Sequence, residues 1–188
     1  MIDRRSLIRN SSAAGFGALA LTAVSSGTEL AYGSTGHDGH PTGYPEGLSR
    51  GVRRHLEIFD ELDFDVFTHQ KWDRLGESHA RTIRVHWPDG HYTDGIDRHI
   101  EDLKALFVWA PDTRIESHYL RVAGGGLTAV AGVMKGTFTR PMPDGKGGFI
   151  APTGRKYAVN MATIGLWNRG RTMDEEFPRT HPHPGQIP

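Results

Sequence analysis

Lys156-Tyr-Ala-Val-Asn-Met-Ala-Thr-Ile-Gly-Leu-Trp-Asn-Arg-Gly-Arg-Thr-Met-Asp-Glu-Glu-Phe177 decides the fold class of this chain. Its β-branched and aromatic residues, interrupted by Asn168-Arg169-Gly170, read as two strands, Lys156 to Trp167 and Arg171 to Phe177, joined in a hairpin. In such a hairpin Tyr157, Val159, Met161, Thr163 and Trp167 share a face with Met173, Glu175 and Phe177. Ala158, Asn160, Ala162 and Ile164 share the other with Asp174 and Glu176. The first set is the more apolar and is expected to face inward, which makes Glu175 the acid of the inner face. A one-residue slip or a bulge exchanges it with Asp174 or Glu176, so all three stay candidates beside the plain reading of a solvated edge strand.

The same pattern continues towards the N-terminus. Thr113 to Ala123 and Leu127 to Arg140 read as strands about the turn Gly124-Gly125-Gly126, and a loop carrying Pro141, Pro143, Asp144-Gly145 and Pro152 precedes the final hairpin. Glycines 132, 136 and 165 are where the sheet can bend or bulge. Ahead of these strands the period changes. Leu48, Val52, Leu56, Phe59 and Leu62 mark one stripe of a helix from Leu48 to Leu62. A short helix is expected from Asp65 to Gly76, with Asp65 as N-cap and Gly76 as stop. Ala80 to Trp87 alternates as a half-buried strand. Ile96, Ile100, Leu103 and Phe107 then mark a third helix, started by Asp94 or Gly95 and broken at Ala110-Pro111. Asp94 fits a helix cap better than a catalyst. The order implies an α+β fold, with about three N-terminal helices packed on a curved antiparallel sheet.

Composition narrows the function. The 188 residues hold 22 Lys and Arg against 22 Asp and Glu, which argues against a nucleic-acid or polybasic membrane binder. Cysteine is absent, so there is no disulfide framework, thiolate nucleophile or iron–sulfur cluster. Eleven histidines supply groups that titrate near neutrality. Arg4 and Arg5, with Leu7 two places on, precede an uncharged stretch from Asn10 to Thr28 diluted by serines and glycines. This is the layout of an export signal of the twin-arginine type over residues 1–33, too polar for a permanent anchor. Ala31 and Gly33 suit a cut before Ser34. Residues 34–47 are a Gly/Pro-rich linker, 48–177 the domain and 178–188 a Pro/His-rich tail. A periplasmic or extracellular destination follows from that signal.

Beyond the hairpin, His86-Trp-Pro-Asp-Gly90, Pro111-Asp-Thr-Arg-Ile115, Gly132-Val-Met-Lys-Gly-Thr-Phe-Thr-Arg-Pro-Met142, Pro143-Asp-Gly-Lys146, Pro152-Thr-Gly-Arg-Lys156 and Gly170-Arg-Thr-Met-Asp-Glu-Glu176 stand in one order. Together they resemble the SnoaL-like polyketide cyclase family of the nuclear transport factor 2-like superfamily, over roughly residues 50 to 177. The resemblance implies a cone-shaped α+β barrel with an apolar pocket at one end, commonly a homodimer. It implies intramolecular aldol ring closure of a polyketide ester, without metal or organic cofactor, by a pocket carboxyl group helped by histidine and asparagine. Relatives tend to follow the Glu-Glu pair with an aromatic run ending in Trp-Asp-Asn; this chain continues Phe177-Pro-Arg-Thr-His-Pro-His-Pro, and by simple counting His181 falls where the aspartate would be.

An enolising base needs a carboxylate in an apolar pocket, where desolvation raises its basicity. Glu175 is the first candidate, with Asp174 and Glu176 behind it. His118 lies on an alternating set with Leu120 and Val122, and His86 opposite Ile83 and Val85; either can line the cone or serve as an ordinary strand histidine. Trp87, Trp109, Met134, Phe138, Met161 and Trp167 suit a flat hydrophobic substrate and suit a core equally well. His37, Asp38, His40, His181 and His183 are spaced too loosely to specify a metal site, and none is expected. The glycine triplet lacks a dinucleotide-site context, and no Gly-x-Ser-x-Gly elbow is present. The expected function is therefore acid/base chemistry on a small hydrophobic carbonyl compound, or non-catalytic binding of such a compound on the same fold.

Overall fold

The computed structural model describes residues 43–168 in full and the backbone of strands Ala31–Tyr32 and Arg171–Glu176. Most of the expected signal (all but Ala31–Tyr32), most of the linker, residues 169–170, Phe177 and the tail 178–188 lie outside the described residues. Helix α1, Arg50–Glu61, starts at Ser49, whose hydroxyl accepts the Val52 N–H, and its stripe buries Leu56 and Phe59. It then widens into a π-helical turn, Leu62–Phe67, closed by Thr68 N–H to Asp63 C=O and Lys71 N–H to Val66 C=O.

The expected helix from Asp65 to Gly76 is replaced by this turn and a separate 3-10 helix, Trp72–Glu77. Gln70 stands between them at φ 55°. Asp65 caps nothing: its carboxylate accepts from Lys71 Nζ at 2.6 Å and Arg74 Nη1 at 2.7 Å, contacts that form only where the chain doubles back. Gly76 lies inside the 3-10 helix rather than ending one. Asp94 is likewise no cap. It faces Arg84 across a strand pair and accepts from that guanidinium at 2.7 and 2.9 Å, while Gly95, at φ 88°, turns the chain into α2, Ile96–Trp109.

The main sheet has seven strands: β1 (Ala31–Tyr32), β2 (His79–His86), β3 (Tyr92–Asp94), β4 (Arg114–Gly124), β5 (Leu127–Thr137), β8 (Lys156–Asn168) and β9 (Arg171–Glu176). Their order is β1-β4-β5-β8-β9-β2-β3, and every pairing is antiparallel except β2 with β9. A small hairpin of β6 (Met142–Pro143) and β7 (Phe149–Ile150) occupies the loop read as irregular. The result is an α+β fold in which a curved, mostly antiparallel sheet packs on the N-terminal helical segments. Leu56 and Phe59 from α1, Leu103 and Phe107 from α2, and Ile83, Val85 and Val130 from the sheet form one core. Among the described residues no helix is long and apolar enough to cross a membrane.

Two glycines set the curvature. A Cβ on Gly132 would lie 2.2 Å from the Ser117 carbonyl oxygen and 2.8 Å from His118 Cδ2, so only glycine lets β4 press this closely on β5. Here β4 carries irregularities between Ile115 and Ser117 and between His118 and Leu120. A Cβ on Gly136 would meet the Tyr157 hydroxyl at 2.4 Å; that hydroxyl donates to Thr113 Oγ1, whose own proton goes to the Ala110 carbonyl.

Candidate active site

Between the π-helical turn, α2 and the inner face of β2, β5 and β8 lies a cavity of about 300 Å³. Leu62, Phe67, Leu103, Ile115, Met134 and Met161 make its walls largely apolar, and Trp87 and Pro88 stand at one side. Four polar side chains reach it: Asp63, His79, His99 and Thr163. His79 and His99 face each other at 5.2 Å between ring centroids, and Ser78 Oγ lies 2.7 Å from His79 Nδ1. Trp87 is fixed by its indole N–H, which donates to Thr93 Oγ1 at 2.8 Å; the Thr93 hydroxyl donates to Asp102 at 2.6 Å.

Asp63 belongs to a buried ion cluster. Asp60, on the last turn of α1, and Asp63, on the π-helical turn, are three residues apart and so share a helix face. Both meet His118 on β4, whose side chain has no exposed surface. His118 Nδ1 donates to Asp60 Oδ1 at 2.8 Å and Nε2 donates to Asp63 Oδ2 at 2.7 Å. Ionised carboxylates only accept, so satisfying both contacts requires the doubly protonated imidazolium. Burial pulls the imidazolium down, but the bonds to Asp60 and Asp63 outweigh it and the pKa is pushed up to about 9. Arg121 grips Asp60 with Nε and Nη2, both at 3.1 Å, and Tyr44 donates to the same carboxylate at 2.8 Å. Burial pushes Asp60 up, yet the bonds from His118 and Arg121 prevail and hold it below the usual carboxylate range. Two carboxylates, one imidazolium and one guanidinium thus balance in charge, a condition for keeping them out of water.

The structure distributes the sequence candidates unevenly. His118 reaches the site through Asp63. His86 does not: Ile83 and Val85 take the inner face of β2 and leave His86 exposed, its ring 6.4 Å from Tyr92. Trp87, Met134 and Met161 line the cavity. Trp109, Phe138 and Trp167 do not. Trp109 packs edge-on against Phe138 at 5.6 Å, and Trp167 stacks on His55 at 4.5 Å, under α1. The side chains of Asp174, Glu175 and Glu176 lie outside the described residues. Their backbone pairs Glu175 with Gly165 and Val85, Asp174 with Leu166 and Arg84, and Glu176 with Ile164 and His86.

Asp63, Asp60, Arg121, His79 and His99 were not legible as site residues. The signal for Asp63 is an acid between Leu62 and Phe64, in a run where a solvated face has no place. His99 sits on the stripe of Ile96 and Leu103, and His79 falls one residue before the expected strand. Among the described residues no group of three His, Cys, Asp or Glu side chains has the geometry to hold a metal ion.

The fold that encloses this cavity, helical segments on one side and a bent sheet on the other, is shared with known proteins. The sequence model for the SnoaL-like polyketide cyclases matches residues 57–175, which takes in the cavity from Leu62 to Thr163. The chain belongs to the SnoaL-like polyketide cyclase family. Solved structures share the SnoaL-like fold at low identity. A protein described as a candidate SnoaL-like polyketide cyclase from Jannaschia sp. CCS1 is 18% identical, with a TM-score of 0.61 over 70% of this chain and 89% of its own. IdmH, a candidate polyketide cyclase from Streptomyces antibioticus, is 20% identical, with a TM-score of 0.57 over 65% and 89%. A candidate polyketide cyclase from Xanthomonas campestris pv. campestris is 13% identical, with a TM-score of 0.60 over 69% and 93%. No curated protein sequence matches this SnoaL-like chain.

Proposed function

We propose that this protein is a cofactor-independent acid/base catalyst acting on an uncharged, hydrophobic carbonyl compound by enolisation, as in cyclisation or isomerisation. One observation carries the reading: a carboxylate, Asp63, stands at the wall of an apolar cavity with His118 bonded to it at 2.7 Å. Asp63 takes the proton from the carbon next to the carbonyl, and the electron pair passes to the carbonyl oxygen. The Thr163 hydroxyl supplies a donor for the enolate oxygen within the same cavity, whose wall His79 and His99 also share. The enolate carbon then attacks a second carbonyl carbon of the same substrate, whose π pair moves to its oxygen and takes the proton back from Asp63, or the enolate is reprotonated at another carbon by Asp63. The cavity walls, which include neither Lys nor Arg among the described residues, favour a neutral substrate over a free acid.

Glu175 is proposed as a second acid of this site, ahead of Asp174 and Glu176; its backbone register with the buried positions Gly165 and Val85 supports that order. We further propose export through the signal over 1–33, whose removal would take the two-residue edge strand β1 (Ala31–Tyr32) from the sheet, followed by function as a homodimer. Mass spectrometry of the secreted protein, expected to begin at Ser34, and light scattering test these two points.

A second reading, a non-catalytic carrier on the same fold, is favoured by the ion pair itself, because a carboxylate already bonded to an imidazolium is a weaker base. Proton–deuterium exchange at the α-carbon of an aromatic β-keto ester, followed by NMR, separates the two. The catalyst accelerates exchange, and Asp63→Asn loses roughly 10²- to 10⁴-fold of that acceleration. Binding without accelerated exchange in the wild type establishes the carrier.

A further inference from the structure

Asp60 does not line the cavity, yet its carboxylate accepts from Tyr44, His118 and Arg121 together. We propose that Asp60 is a positioning residue: gripped by Arg121 and Tyr44, it holds the Nδ1 proton of His118 and thereby keeps the imidazole doubly protonated and aimed at Asp63. The role in catalysis rests on Asp63 being the base.

Geometry carries the inference. Arg121 donates two parallel bonds to the Asp60 oxygens and a third, from Nη1, to the His118 carbonyl at 3.0 Å, so one side chain fixes both the carboxylate and the strand position that bears the imidazole. Tyr44 holds the second Asp60 oxygen. The groups facing the imidazole are Asp60 from α1, Asp63 from the π-helical turn and the Phe64 ring at 4.6 Å, while Arg121 stands on the same strand and Tyr44 approaches from ahead of α1. On the β5 side Gly132 leaves the space that the ring fills. With its charge removed, Asp60 no longer favours a second proton on His118. A singly protonated ring has one N–H to donate instead of two and carries no positive charge. Asp63 then loses its orienting cation, and the alkaline limit of the reaction is the point at which that happens.

Selective 15N-histidine labelling of the full chain tests this directly. In the wild type at neutral pH, one histidine is expected to show both ring nitrogens protonated and to titrate far above the ordinary value. A His118 with one unprotonated nitrogen overturns the proposal without need of any variant. In Asp60→Asn the His118 titration is expected to fall by about one pH unit or more, tenfold in proton affinity. The alkaline limb of the exchange rate should fall with it, while ligand affinity read by tryptophan fluorescence stays constant. Tyr44→Phe, which keeps the Asp60 charge, is expected not to lower the titration, and it serves where Asp60→Asn fails to fold. A purely structural Asp60 changes melting temperature but neither titration nor limb, and that result refutes the positioning role. Absence of exchange in the wild type refutes Asp63 as base, while the titration still decides whether Asp60 holds His118.

Discussion

Raising the pH from 6.5 through 9 perturbs the ion cluster at its most sensitive member, His118. Its ordinary value is 6.5 and its folded value about 9, so folding binds a proton across that interval. The resulting stability is complete below 6.5 and is lost as pH rises through 9, a total of about 3 kcal/mol with a steepest slope of about 1.4 kcal/mol per pH unit. Asp60 acts in the opposite direction: held below the ordinary carboxylate range, it contributes stability at neutral pH that is lost as the solution is acidified. Tyr44, pushed up to about 12 by burial and by Asp60, titrates above this window and leaves it undisturbed. Urea unfolding, followed by circular dichroism at steps of pH, measures the decline. Asp63→Asn removes one of the two anions that hold the second proton and should flatten it. A wild-type unfolding free energy that changes by less than about 1 kcal/mol over the interval, or rises, refutes the doubly bonded imidazolium.

Three further perturbations test other parts of the structure. Gly132→Ala places a methyl 2.2 Å from the backbone oxygen of Ser117, which cannot step aside as a side chain would, and should cost about 3 kcal/mol or more in thermal or urea melting. Phe59→Ala, at a core position 1% exposed, should cost about 3–5 kcal/mol by the same assay without changing its pH dependence. A hydrophobic ligand entering the cavity should change tryptophan fluorescence through Trp87; Trp87→Phe should remove most of that signal and Trp109→Phe little of it.

Local periodicity carried much of the fold. The stripe Leu56–Phe59 and the alternation about Gly124–Gly126 each depend on neighbours a few residues away, so α1, β4, β5 and β8 were readable within a few residues. The parallel pairing of β2 with β9 depends on strands far apart in the chain and leaves no local trace. The π-helical turn was illegible for a related reason: Asp65 looks like a cap until Lys71 and Arg74 fold back on it. The site suffered most. His118 was singled out as a strand histidine on a regular alternation, but two irregularities in β4 set which residues turn inward, and Ile115, His118 and Arg121 are buried at intervals of three. Asp60 carries no local signal of its role, because the guanidinium that neutralises it lies 61 residues away in the chain.

Whether Asp63 is the base is decided most directly by α-carbon deuterium exchange of a hydrophobic β-keto ester, compared between the wild type and Asp63→Asn at equal ligand occupancy. The account predicts accelerated exchange in the wild type and its loss, by roughly 10²-fold or more, in the variant that still binds. Equal exchange in the two proteins contradicts it and moves the search for the acid to Glu175 on β9.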